Sequence, residues 1–211
     1  MSNDIQSFEL LFDPLCGWCY GAHPIVREVA AQTGKPLRLT PTGLFAGANG
    51  REMDAGFAAY AWQNDQRIMQ MTGQQFSDAY RRDVLQAGGR FDSWLLTLAF
   101  HILSSAQPDD ALAVLEALQQ ARYVAGQDVS DVNVLAGVAE GLGMPRAAFL
   151  AAMQDDATVR AARARLQAGQ QAQRAAGVRG VPALLAHTTN GIRLIPSLYD
   201  PASLAAIGVD I

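Results

Sequence analysis

Cysteine is scarce in this chain: two residues, Cys16 and Cys19, in 211. Two cysteines cannot build a disulfide framework. No second C-x-x-C and no H-x-x-x-H accompanies them, so a structural zinc site would lack its usual four ligands. Charge is also sparse, at 17% of residues, and the formal net charge is −4. That balance gives no bulk electrostatic footprint for nucleic acid or a membrane surface. No unbroken apolar run approaches the ~20 residues of a membrane-spanning helix. The opening M-S-N-D-I-Q-S-F-E-L has neither the basic segment nor the apolar run of a secretory signal. A cytoplasmic setting is therefore expected. A mature periplasmic chain with its signal trimmed would read much the same, but Met1 points away from that. No internal repeat or low-complexity tail is visible. What the chain has in quantity is apolar residues, at 50%, enough for a sizeable core. Its length suits one domain with an insertion, or two small ones.

The two cysteines sit three apart, in F-E-L-L-F-D-P-L-C-G-W-C-Y-G-A-H-P. A buried strand from Phe8 to Phe12 ends at Asp13-Pro14, and a helix then opens with a cysteine in its first turn. Residues three apart on a helix share a face, at a separation that a disulfide accepts. A thiol at a helix N-terminus with a second one turn further on is the minimal arrangement for thiol–disulfide exchange. The amides at the helix start favour a thiolate at Cys16, whereas Cys19 would be more buried. Gly17 leaves the approach to Cys16 uncrowded, and Trp18 offers an exposed apolar surface beside it. Two packed core cysteines, or a zinc site, are the competing readings.

Leu37-Arg38-Leu39-Thr40 alternates as a second strand, after a helix spanning Gly17 to Thr33 that Gly34 and Pro36 close. This makes a β-α-β unit with parallel strands. A Gly-rich loop follows from Thr42 to Gly50. The text is then helical from about Asp54 to Gly177, with Asp92 or Ser93 as a cap, Pro108 as a helix start, and a long Ala/Arg/Gln helix from Thr158 to Ala176. Pro182–Ala186 and Ile192–Ile195 read as a hairpin about Asn190-Gly191, before a last helix near Pro201 to Ile207.

F-D-P-L-C-G-W-C-Y-G, F-D-S-W at Phe91–Trp94, A-R-Y-V-A-G-Q-D-V-S-D at Ala121–Asp131 and G-V-R-G-V-P-A-L late in the chain resemble the DsbA-like branch of the thioredoxin superfamily. The likeness is to its FrnE-like cytosolic members in particular, and it covers nearly the whole chain. It implies an α/β thioredoxin-like fold with a large helical insertion between the βαβ and ββα halves. Residues 1–42 and 178–211 would form the thioredoxin-like domain. Residues 43–177 would be the insertion, including the long helix that returns to the sheet. The resemblance further implies Cys16 as nucleophile and Cys19 as resolving thiol. It implies a cis Val181-Pro182 bond facing the dithiol, where the backbone of Val181 would pair with an extended substrate segment; with Trp18 beside Cys16, the expected substrate-binding residues are Trp18, Val181 and Pro182.

The strongly oxidising members carry proline and histidine between the cysteines. Here stand Gly17 and Trp18, so a reductase or isomerase-like role is expected. A neighbouring class, the hydroxychromene carboxylate isomerases and kappa glutathione transferases, shares the fold but typically uses a serine and bound glutathione. Retention of both cysteines argues against it. A redox-inactive, chaperone-like binding module is the remaining alternative. The expected reaction needs no metal and no organic cofactor. Its partners would be a protein or small-molecule disulfide and a thiol reductant, for which glutathione is a candidate.

Asp13 could serve as a strand-end turn or cap, or as a proton relay for the thiols. Glu9 is a second carboxylate whose face on the strand is open. His23 is expected as a packing or surface histidine, His101 as a satisfied core residue and His187 as peripheral. Arg160, Arg163, Arg165 and Arg174 read as a solvated helix face.

Overall fold

A computed structural model describes residues 4–210. Strand β1 (Ile5–Phe12) is buried on both faces along most of its length, the texture of a central strand. The dithiol helix follows, but it is not the single helix that the periodicity predicts. It breaks into α1 (Gly17–Gly21) and α2 (His23–Thr33), with Ala22 between them. Pro24 is the cause. It has no N–H to return to the Tyr20 carbonyl one turn earlier. That carbonyl instead accepts a hydrogen bond from Gln74 Nε2 at 3.1 Å. Gly34, with φ +61, caps α2 and leads to β2 (Leu37–Pro41), which pairs in parallel with β1 from Phe8↔Leu37 to Phe12↔Pro41.

Seven helical segments fill the stretch before the next main strand. They are preceded by β3 (Arg51–Glu52), which pairs with β4 (Arg90–Phe91) in a small ladder absent from the sequence reading. Between these strands lie α3 (Ala55–Thr72), capped by Asp54, and the short α4 (Asp78–Tyr80), which widens into a π turn at Arg81–Leu85. Helix α5 (Trp94–Ala106) is the most apolar and carries Leu96, Leu98, Phe100 and Leu103 into the core. Pro108 starts a single 3-10 turn before α6 (Ala111–Tyr123). Helices α7 (Val132–Gly141) and α8 (Arg146–Gln154) lead to α9 (Asp156–Ala175), whose Asp155 cap accepts from Thr158 N–H at 2.7 Å. Helix α9 lies so close to β2 that a Cβ on Gly169 would stand 2.1 Å from the Pro41 carbonyl oxygen, which requires glycine there.

The chain then returns to the sheet. Strand β5 (Ala183–Thr188) runs antiparallel to β1, with Leu10 opposite Leu184, and β6 (Gly191–Leu194) pairs antiparallel with β5. The hairpin turn itself is Thr189-Asn190, and Gly191, at φ +122, begins β6. Helix α10 (Pro201–Ala205) closes the fold. The sheet order β2-β1-β5-β6, with helices inserted between β2 and β5, is a thioredoxin-like fold with a helical insertion. One face of the sheet buries Leu11, Ala183 and Leu185 against Ala172, Ala176 and Val178. No helix among the described residues is long and apolar enough to cross a membrane.

Candidate active site

The strand β1 ends where the chain must turn, and Asp13 makes the turn. Its Oδ1 accepts Leu15 N–H at 2.9 Å, and its backbone carbonyl accepts Cys16 N–H at 3.0 Å. Cys16 therefore lies just before α1, as its N-cap in extended conformation, and not inside the first turn as the spacing predicts. Cys19 follows within α1. Neither thiol is openly exposed: Cys16 is 7% accessible and Cys19 is 1%. The approach to Cys16 is therefore not the uncrowded one expected, because α3 from the insertion packs against α1.

The two sulfurs are neighbours with different surroundings. Burial pushes the Cys19 thiol well above the usual thiol range, and the adjacent Cys16 adds to this through hydrogen bonding and charge. Cys16 opens onto a cleft of about 230 Å³, which Cys19 does not line. Across from the dithiol, the Cys16 Sγ–H donates to the Val181 carbonyl at 3.7 Å. The Val181-Pro182 peptide is cis. Val181, like Cys16 and Trp18, lines the cleft; the insertion supplies the opposite wall with Phe45, Phe57, Tyr60, Asp65 and Tyr80.

Gly17 has a different job from the one expected. It does not leave an uncrowded approach to Cys16. A Cβ there would stand 2.5 Å from Asp65 Oδ1 and 3.3 Å from Ile68 Cδ1, so glycine lets α3 press onto α1. Trp18 is half-buried, not an exposed platform. Its ring meets the Tyr199 ring edge-on at 5.3 Å between centroids, and its carbonyl accepts from the Tyr199 hydroxyl. The Arg67 guanidinium stands 5.9 Å from its ring centroid.

Asp13 is wholly buried. Its Oδ2 accepts Phe45 N–H at 3.0 Å and Ser93 Oγ–H at 2.8 Å. Burial raises its pKa, and the three hydrogen bonds oppose that rise without cancelling it. Asp13 acts on the Cys19 thiol in two opposed ways: its backbone hydrogen bond lowers the thiol pKa and its side-chain charge raises it. Ser93 belongs to the F-D-S-W motif. Ser93 is the N-cap of α5 by position, but its hydroxyl reaches to Asp13, and it is Asp92 Oδ1 that accepts Trp94 N–H, at 2.9 Å.

Three residues of the cleft, Asp65, Tyr80 and Tyr123, are not among the site residues expected from the sequence. Asp65 on α3 is 4% exposed, and its Oδ2 accepts the Tyr80 hydroxyl at 3.0 Å. Burial pushes its pKa up to about 7, against the Tyr80 bond and the Arg122 charge, which lower it. Tyr123 donates its hydroxyl to the Leu15 carbonyl at 2.9 Å and packs against the Tyr80 ring at 5.1 Å, forming a floor under the dithiol turn.

The remaining candidates lie elsewhere. Glu9 is buried within the sheet, not beside the thiols. It accepts from Thr40 at 2.7 Å and Arg38 at 2.7 Å and pairs with His187 at 2.9 Å. Burial acts to raise its pKa, but these bonds outweigh it and the net shift is downward. His187 is thus tied into the sheet and is not peripheral. His23 is a packing residue, buried against Gln119 at 2.6 Å. His101 is half-buried with an unpartnered Nδ1, so it is not the satisfied core residue expected. Arg165 leaves the solvated set: it donates to Ser104 Oγ at 2.8 Å and to the Leu39 carbonyl at 2.9 Å. Arg163 lies 4.6 Å from the Trp94 ring centroid. Among the described residues no group of three or more His, Cys, Asp and Glu side chains could hold a metal ion.

Residues 8–197 match the model of the DSBA-like thioredoxin domain. Among solved structures, the cytosolic disulfide reductase DsbM from Pseudomonas aeruginosa is 28% identical with a TM-score of 0.75, over 89% of this chain and 88% of that one. The same protein with GSH aligns at a TM-score of 0.73, with the same identity and coverage. A protein from Nitrosomonas europaea, provisionally assigned as a protein disulfide isomerase, is 24% identical with a TM-score of 0.76, over 95% of this chain and 94% of that one; this likeness is one of fold. No curated protein sequence matches the chain.

Proposed function

The chain belongs to the DSBA-like thioredoxin domain family, and we propose that it is a thiol–disulfide oxidoreductase of the reductase or isomerase type. The observation that carries this reading is the division between the two thiols. Cys16 opens onto the cleft and faces Val181, whereas Cys19 is sealed behind it in contact range. A pair so placed divides exchange chemistry into attack and release. Cys16, as thiolate, attacks a substrate disulfide and forms a mixed disulfide while one substrate thiolate departs. Cys19 then loses its proton and attacks the Cys16 sulfur, which releases the second thiolate and leaves a Cys16–Cys19 disulfide. A thiol reductant restores the dithiol.

Around this chemistry, Trp18, Val181 and Pro182 contact the substrate. An extended peptide beside Val181 gains backbone hydrogen bonds there, in the strand-addition mode. Asp13 is the proton relay for Cys19, since it is buried, raised in pKa and electrostatically linked to that thiol. The uncharged Gly17-Trp18 pair between the cysteines favours reduction or isomerisation over strong oxidation. The likeness to a cytosolic disulfide reductase solved with GSH supports a cytoplasmic setting and glutathione as the reductant. No metal or organic cofactor enters the scheme.

The test is a trap. Cys19→Ser removes the release step, so incubation with a disulfide-bonded protein should accumulate reducible adducts, every one of them linked through Cys16. Cys16→Ser should trap far less. If Cys19→Ser traps nothing while glutathione still supports turnover of a small molecule, the reading falls, and a glutathione-dependent isomerase or transferase replaces it.

A further inference from the structure

Thiol–disulfide exchange leaves a charge to be disposed of. When Cys16 attacks R–S–S–R′, the S–S bond breaks and R′S⁻ departs into the cleft. An alkyl thiolate of ordinary basicity, with a parent thiol pKa of about 8.5, leaves more slowly than a less basic one, and a proton delivered as the S–S bond breaks would speed its departure. The asymmetric burial of the two cysteines does nothing for this step. The cleft does contain an acid that does.

Besides Cys16, four ionisable side chains line the cleft: Tyr60, Asp65, Tyr80 and Tyr123. Tyr60 stands at the rim, 62% exposed. Tyr80 and Tyr123 are buried phenols whose pKa values burial drives upward, beyond use near neutrality. Asp65 differs from all three. It is buried, it sits on the helix pressed against the dithiol turn, and its Oδ1 abuts Gly17, the residue bonded to Cys16. Its other oxygen is held by the Tyr80 hydroxyl. Oδ1 accepts no hydrogen bond from the protein, which leaves it open to a ligand in the cleft.

We infer that Asp65 is the proton donor to the departing substrate thiolate, a role that rests on the oxidoreductase reading above. The step balances. Cys16 enters as thiolate, having released its proton to water. Its sulfur bonds to RS, the substrate S–S bond breaks, and R′S⁻ takes the Asp65 proton to leave as R′SH with an Asp65 carboxylate behind. When Cys19 closes the disulfide, its own proton ends on RS⁻, and Asp65 recovers a proton from water through the cleft. The groups facing Asp65 are Cys16 at the head of α1, Tyr80 on α4, and Arg122 and Tyr123 on α6. With burial raising it and Tyr80 and Arg122 lowering it, the carboxyl titrates near neutrality, where an acid catalyst is most effective. It is a different carboxyl from Asp13, which lies outside the cleft lining and is linked to Cys19. Two acids in unlike environments serve the two thiols that must change protonation.

The experiment uses pre-reduced full-length protein and two probes. Glutathione disulfide expels an alkyl thiolate that benefits from a proton; 5,5′-dithiobis(2-nitrobenzoate) expels an aromatic thiolate that leaves unaided. Rates of the first exchange are read from about pH 5 to about pH 9 by rapid mixing. With glutathione disulfide, the wild-type rate should show a limb that falls with rising pH as Asp65 deprotonates. Asp65→Asn should abolish the falling limb and slow this probe by on the order of 10²-fold, while the aromatic probe changes by no more than about twofold. Equal slowing of both probes, or of neither, overturns the inference. Should Asp65→Asn fail to fold, Tyr80→Phe decides: it removes a bond that favours the carboxylate, so the falling limb must move to higher pH, and a limb that stays in place overturns the inference. If the wild-type protein reduces neither probe, the oxidoreductase reading itself fails, which is a separate result.

Discussion

Asp65 should make stability depend on pH in a way that one substitution removes. Its carboxyl is 4% exposed and titrates at about 7 in the folded chain, against 3.8 as the ordinary value. Burial is the main cause; the Tyr80 hydroxyl and the Arg122 charge recover only part of the cost. A folded-state pKa above the unfolded value means that the folded chain binds the proton more tightly. Between 3.8 and about 7 it holds a proton that the unfolded chain has released, so stability falls as pH rises through that window. The displacement of about three units, at about 1.36 kcal/mol each, amounts to about 4 kcal/mol lost between the two ends. Asp65→Asn keeps the shape and the acceptor for Tyr80 but cannot ionise. Urea unfolding of both proteins at pH steps from about 4 to about 8 isolates the contribution, because Glu9, Asp13 and the surface carboxylates cancel in the difference. The variant should gain about 4 kcal/mol on the wild type across the range. A difference that stays constant within about 1 kcal/mol would refute the reasoning, and a gain by the wild type would mean that Arg122 pairs with the carboxylate strongly enough to outweigh burial.

Three further outcomes are expected. Alkylation at neutral pH, followed by mass spectrometry, should modify Cys16 well before Cys19, because the cleft reaches only the first sulfur and burial keeps the second protonated; equal rates would overturn the assigned roles. Tyr123→Phe should cost about 1–3 kcal/mol in urea unfolding, since it strands the buried Leu15 carbonyl. Gly17→Ala should also destabilise: the overlap with Asp65 and Ile68 costs about 1–3 kcal/mol, against at most about 1 kcal/mol recovered from reduced chain entropy. A neutral or stabilised Gly17→Ala in the same assay would mean that α3 does not press on the dithiol turn.

How far the site could be read from the sequence follows from where each residue finds its partners. The C-G-W-C turn, the strands flanking it and the hairpin rest on neighbours within a few positions, so apolar runs and turn residues announce them. The break after α1 was also local: Pro24 stands one turn beyond Tyr20 and removes the N–H that would continue the helix, but the unbroken apolar periodicity of Gly17 to Thr33 hid it. Partners that meet only through the fold leave no such trace. In W-Q-N-D-Q-R, Asp65 has the composition of a solvated helix face, and only the approach of α3 to Gly17 buries it. Ser93 was legible as a helix cap, yet its hydroxyl goes to Asp13 at the far end of β1. Glu9, Arg38 and His187 looked unrelated until strand register put β2 and β5 on either side of β1, and a one-residue slip in either pairing would send those side chains to opposite faces. The thiols and the nearby Asp13 were therefore legible and Asp65 was not, because the thiols are marked by their own motif and Asp13 stands three residues before Cys16, whereas Asp65 takes its burial and its raised pKa from what the tertiary fold packs around it.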